Sequence, residues 1–227
     1  MKAKTNRGKR NVAIAEKSCT DRIVSAKLSY RSRRASRAQY FLDGEICADA
    51  LRSFLAFVKD DIPDGCEGLD LFIQSVGGSV PVAFAMADFL MSLPIAVRTY
   101  NLSNVDSASI IVYAAGEERL ASPNSTFFLH PVCKPVSGLK NAKELRRLAD
   151  EIEYDARREA KFLSRRTGAA ESRWRRIMEE GTTLDGTQAV ELGLATSCKS
   201  IVLVSSLLTV GRGSKTANGP SSKKSEH

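Results

Sequence analysis

Apolar positions along the chain recur either every second residue, as in strands, or every third or fourth, as in helices. Residues 39–46 (QYFLDGEI) read as a strand entering a glycine turn, and residues 48–58 place Leu51, Phe54, Leu55 and Val58 at helical spacing. Pro63, Asp64 and Gly65 mark a loop. Residues 69–74 (LDLFIQ) form a short apolar strand, after which Gly77 and Gly78 make a tight turn. Ser79 is placed to cap the following helix, with Pro81 tolerated in its first turn. Ala83, Phe84, Met86, Ala87, Leu90 and Met91 make that helix largely buried. The succession then repeats. Residues 95–100 (IAVRTY) are a strand, 103–106 a polar turn, 107–115 a small apolar helix ending at Gly116, and 125–129 (STFFL) a strand that ends at His130. Strands alternating with helices predict an α/β architecture with parallel pairing.

Downstream the pattern is helical. Leu145, Leu148, Ile152, Ala156, Ala160 and Leu163 step by three or four along one helix that stops at Gly168, and its other face is charged. A shorter helix holds Trp174, Ile177 and Met178 and stops at Gly181. Asp185 and Gln188 have the spacing of a capping box and open a helix that ends at Gly193. Residues 200–208 read as a closing strand.

Charge divides the chain differently. Residues 1–38 hold twelve Lys/Arg against Glu16 and Asp21, a local charge of +10, and the tail 209–227 carries +3. The net +8 therefore leaves residues 39–208 at −5. This gives a basic arm over 1–36, expected to be disordered, one domain over 37–208 and a Gly/Ser/Lys-rich tail over 209–227. A basic arm can bind nucleic acid by counterion release, but a solvated extension is the simpler reading, and no nucleic-acid partner is expected. No apolar run approaches the length of a membrane span. The five scattered cysteines contain no CxxC pair, so no zinc site is suggested, and they fit a reducing compartment such as the cytoplasm. The Arg-rich, acid-poor start is also compatible with organelle targeting.

Candidate chemistry converges on three segments. Only two histidines exist, and His227 is the last residue, so acid–base work by histidine falls to His130, at a strand end where α/β sheets form clefts. Ser107 lies where a turn gives way to a helix; it is either an N-cap or a nucleophile near free backbone N–H groups. Gly77 and Gly78 let another backbone approach closely. The sequence lacks GxSxG, GxGxxG and GxxxxGK[ST], which removes α/β-hydrolase, dinucleotide and P-loop readings.

Taken together, these segments resemble the proteolytic subunit of the Clp protease, within the Clp/crotonase fold. The likeness runs over roughly residues 37–201. Gln74-Ser75-Val76-Gly77-Gly78-Ser79-Val80 is similar to the family's Asn-Ser-Pro-Gly-Gly-Ser-Val. Asp106-Ser107-Ala108 followed by Ala114-Ala115-Gly116 is similar to its nucleophile segment, and Pro123-Asn124-Ser125 through His130 to the segment that carries its histidine. Arg166-Thr167-Gly168 and Gln188 to Leu194 follow in family order, marking a divergent member.

The resemblance implies a fold of repeated β-β-α units wound in a spiral with a protruding long helix. It implies a serine endopeptidase acting on peptides and unfolded proteins. Ser107 would be the nucleophile, His130 the general base, and the N–H groups of Gly78 and Ala108 the oxyanion hole. No metal or other cofactor is implied, because ATP would be consumed only by a partner AAA+ unfoldase. Subunits would form heptameric rings, possible in pairs joined through the long helix.

Three positions depart from the family. Gly181 stands where the triad aspartate is expected, and Glu180 is the nearest substitute. Val76 replaces the proline before the glycine pair, and the charged Asp106 precedes the nucleophile. Asp70 and Phe72 occupy two positions where the family uses aromatic residues to dock its unfoldase. Two other activities compete: a catalytically impaired ring subunit, and a crotonase-type acyl-CoA enzyme.

Overall fold

A computed structural model describes residues 37–200. The basic arm, the tail and all but Ser200 of the strand expected over 200–208 lie outside the described residues. Seven strands and six helices succeed one another: β1 (Arg37–Ile46), α1 (Ala48–Asp60), β2 (Gly68–Gly78), α2 (Val80–Ser92), β3 (Ala96–Asp106), α3 (Ser109–Ala114), β4 (Glu118–Ala121), β5 (Thr126–Leu129), α4 (Ala142–Thr167), α5 (Glu171–Glu180), β6 (Thr182–Asp185), α6 (Gly186–Glu191) and β7 (Ser197–Cys198). The sheet order is β1-β2-β3-β4-β7, parallel throughout. Strand β5 pairs parallel with β3 and antiparallel with β6.

Strand β3 creates this branching. Its first half pairs with β4 from Arg98 to Asn101, and its end pairs with β5 from Asn104 to Asp106. Alternate residues face one core: Tyr40 and Leu42 from β1, Leu69, Leu71 and Ile73 from β2, and Val97 and Val105 from β3. Helices α2 and α3 bury Phe84, Met86, Leu90, Ile110 and Ile111 in the same core. The apolar α2 expected from sequence is therefore a buried helix.

Two expected turns are strand. The glycine pair continues β2, and residues 103–106 continue β3. At the first, Gly78 lies opposite Ile46, and a Cβ on it would stand 2.4 Å from the Ile46 carbonyl oxygen. The glycines serve close strand approach rather than reversal. At the second, polar side chains satisfy neighbouring backbone: Asn104 Nδ2 donates to Ser75 O at 3.2 Å, and just before it on β3 Asn101 Nδ2 donates to Thr126 O at 2.8 Å. Strands β4 and β6, four residues each, are too short for periodicity to announce them.

Helix α4 opens on a capping box of Asn141 and Glu144 and ends at Gly168, in the left-handed region. Its buried residues begin only at Asp155, so its first three turns project from the body. The far end is anchored: Arg166 Nε donates to Ala114 O at 2.7 Å and its Nη2 to Gly116 O at 2.8 Å, capping the carbonyl end of α3. Helix α5 docks on α4 through Trp174 Nε1, which donates to Thr167 Oγ1 at 3.0 Å.

Candidate active site

Ser107 follows directly on β3 and precedes α3. Its φ of 54° is the only positive value at a non-glycine among the described residues. Such a conformation is strained for an L-residue and is kept only where surrounding contacts impose it. Those contacts are visible. Ser107 N donates to Phe128 O at 2.8 Å. Ile110 N returns to Ser107 O at 3.0 Å, closing the first turn. Ser107 is thus the residue of a strand-to-helix elbow, and Ala108 takes the N-cap position without a side-chain bond. The Ser107 hydroxyl caps nothing.

The glycine segment lies against this elbow. A Cβ on Gly77 would stand 2.6 Å from Ser107 Cβ and 2.8 Å from Asp106 O, so no other residue fits there. Gly77 N donates to the Ser75 hydroxyl at 3.1 Å. Ser79 N donates to Ile46 O at 2.8 Å while Gly78 faces Ile46 in register, so the alternation of a parallel ladder turns Gly78 N–H away from β1. Ala108 N meets no acceptor among the described residues, as befits the first turn of a helix.

His130 follows the last residue of β5 and shares a strand face with Phe128, ring centroids 5.4 Å apart. Its Nδ1 lies 2.7 Å from Pro131 O. A carbonyl only accepts, so Nδ1 carries the proton and Nε2 is the free base. No hydrogen bond joins Ser107 Oγ to His130 in this structure. The two residues are linked through Phe128, whose carbonyl holds Ser107 and whose ring flanks His130.

The carboxylates divide sharply. Leu129 pairs with Thr182 in the antiparallel ladder, so the next positions are His130 and Gly181. Gly181, which flanks this last pair as the left-handed C-cap of α5, has no side chain, and a Cβ there would meet nothing within 4 Å. Glu180, the substitute suggested by sequence, is exposed, and no bond brings it to His130. Glu179 lines a groove with Pro131, Val132, Ile152 and Met178, beyond the histidine. Asp106 is bound instead: its Oδ1 accepts Phe128 N at 3.0 Å and its Oδ2 accepts Asn104 Nδ2 at 2.8 Å.

On the sheet face away from the core, Phe72 stacks between Phe41 and Tyr100, with centroids 4.8 and 4.6 Å apart. Asp70 beside it is paired with Arg37 Nε at 2.8 Å and accepts from the Tyr100 hydroxyl at 3.3 Å. Burial, and then the Asp70 charge, push the Tyr100 phenol up.

Comparison with known proteins places the chain and its fold. The Clp protease family profile matches residues 35–200. The ATP-dependent Clp protease proteolytic subunit 2 of Treponema denticola is 32% identical over 127 residues, 55% of this chain. The aligned stretch spans 62% of that relative's length. A solved ClpP1 point mutant from Listeria monocytogenes superposes with a TM-score of 0.61 at 21% identity, covering 70% of this chain and 90% of that one, a likeness of fold.

Proposed function

The chain belongs to the Clp protease family, and from that premise we propose that it is a serine endopeptidase whose nucleophile is Ser107. Ser107 Oγ attacks the scissile carbonyl while His130 Nε2 takes its proton. The N–H groups of Gly78 and Ala108 receive the oxyanion. The carbon–nitrogen bond then breaks as His130 returns the proton to the leaving amine. Water, deprotonated by His130, then attacks the acyl carbon, and His130 passes that proton to Ser107 Oγ as the ester bond breaks and the acid leaves. The observation that carries this reading is the strained Ser107 elbow, pressed against Gly77 and bonded to the strand that bears His130.

The substrates are peptides and unfolded proteins, taken in a ring of subunits. Support for assembly comes from apolar side chains left open on and beside the projecting helix: Leu139, Leu145 and Tyr154. An AAA+ unfoldase would feed such a ring in the cytoplasm and alone consume ATP. The aromatic row Phe41–Phe72–Tyr100 supports its docking, while the Arg37–Asp70 pair makes that surface more polar than an all-aromatic one.

The test is a fluorophosphonate probe. Wild-type protein labels once per chain and Ser107→Ala does not. Equal labelling of both would sink the assignment. A second reading, a ring subunit of impaired activity, draws on the lack of a carboxylate bonded to His130 among the described residues and predicts assembly without labelling.

A further inference from the structure

A serine–histidine pair needs its imidazole held in one tautomer and one place. Gly181, just before β6, has no side chain, and among the described residues no carboxylate is hydrogen-bonded to His130. Two other groups meet the two needs. The Pro131 carbonyl, 2.7 Å from Nδ1, keeps the proton on that nitrogen and leaves Nε2 bare. Asp106 holds the strand on which the ring is carried. Its Oδ1 takes Phe128 N at 3.0 Å, while Phe128 O takes Ser107 N at 2.8 Å. Its Oδ2 takes Asn104 Nδ2 at 2.8 Å, and Asn104 in turn donates to Ser75 O, two residues before Gly77. One carboxylate thus ties the glycine segment, the nucleophile elbow and the histidine strand into a single hydrogen-bonded unit.

We propose that Asp106 is the acid of this site, a positioning residue that acts on His130 through the Phe128 backbone and ring, while the Pro131 carbonyl selects the tautomer. The proposal deepens the peptidase reading and rests on it. It separates placing the ring from fixing its proton, two tasks that a triad aspartate performs together. What Asp106 supplies is an acceptor for Phe128 N–H. Asparagine, whose side-chain oxygen is also an acceptor, can replace it there, and alanine cannot.

The test compares full-length wild type, Asp106→Asn and Asp106→Ala by the rate of fluorophosphonate labelling and by peptide turnover per labelled site. Counting only labelled sites removes any loss that comes merely from unfolded protein. Asp106→Ala is expected to slow both by about 10–100-fold at little change in KM, the scale of a small misplacement of a catalytic group. Asp106→Asn, which keeps an acceptor for Phe128 N–H but turns an amide nitrogen toward Asn104, is expected to lose about tenfold or less and clearly less than Asp106→Ala. Asn104→Ala, which removes the bonds to Asp106 Oδ2 and to Ser75 O but leaves the Phe128 acceptor, should likewise lose less than Asp106→Ala, and it decides the matter if Asp106→Ala does not fold. Unchanged rates in Asp106→Ala, or in Asn104→Ala in that event, overturn the proposal while leaving the peptidase reading intact. So does a loss in Asp106→Asn as large as that in Asp106→Ala. Wild type that fails to label overturns both. Nitrogen-15 spectra of the neutral imidazole, with His227→Gln identifying the signal, should show Nδ1 protonated. A predominantly Nε2-protonated ring overturns the role of Pro131.

Discussion

Ser107 holds a backbone conformation that costs an ordinary residue roughly 1–2 kcal/mol, and its neighbours explain how it persists. Gly77 leaves room where a Cβ would clash, and Phe128 O binds its N–H. Gly181 offers the opposite opportunity. Its φ of 65° is tolerated by aspartate better than by most residues, and the space around it is open. Gly181→Asp, which restores a carboxylate beside the Leu129–Thr182 pair that His130 follows, should raise turnover per labelled site about tenfold over wild type, at a cost of about 1 kcal/mol in stability. Gly181→Ala should show the cost without the gain. Equal turnover in the two variants would mean that a carboxylate at this position does not reach the imidazole.

Helix α4 shows how an element can be read correctly and still conceal its chemistry. Its length, its apolar stripe and its end at Gly168 follow from spacing, but the charged residues along it read simply as a solvated face. Two acids lie inside: Asp155 and Glu159, each only 5% exposed. Asp155 is paired with Lys134 at 3.0 Å, from the segment that follows His130. Glu159 has no such partner; burial, and then the Asp155 charge, push its carboxyl up to about 8 from an ordinary 4.5. In the unfolded chain it releases its proton near the ordinary value, so the unfolded state gains as pH rises through that value. Stability from this group is complete below about pH 4, falls as pH rises and levels off above about pH 8. Glu159→Gln, with no proton to lose, should flatten that slope and exceed wild type in stability at about pH 9. Urea unfolding midpoints of the two proteins across this range check it, and parallel curves would refute it. Strand β3 carries the same lesson, since Asn104 reads as a turn residue until the Ser75 carbonyl it binds is placed beside it.

The whole molecule is a buried body with a helix standing out of it. Leu145 and Tyr154 are 48% and 61% exposed on that helix, and Leu139 just before it is fully exposed. Apolar side chains on a projecting element are suited to burial against other copies. Native mass measurement should find a closed ring or a pair of rings, and Leu145→Glu with Tyr154→Glu should lower the mass to a smaller assembly. An unchanged mass would place the contact elsewhere.

How much was legible divides along one physical line. Hydrophobic periodicity, capping boxes and helix-ending glycines act between residues a few positions apart. From them the sequence by itself determined the order of most elements, the long helix and the strand end that carries His130. The order of its motifs also pointed to the family and picked out Ser107. Contacts across the fold obey no such local rule. Folding in three dimensions alone set the glycine pair into a strand, gave β3 two partners and left Glu180 exposed. It also brought Asp106 to Phe128, 22 residues away. A hydrogen-bond acceptor is defined by what packing sets against it, and that neighbour is chosen by the folded chain as a whole.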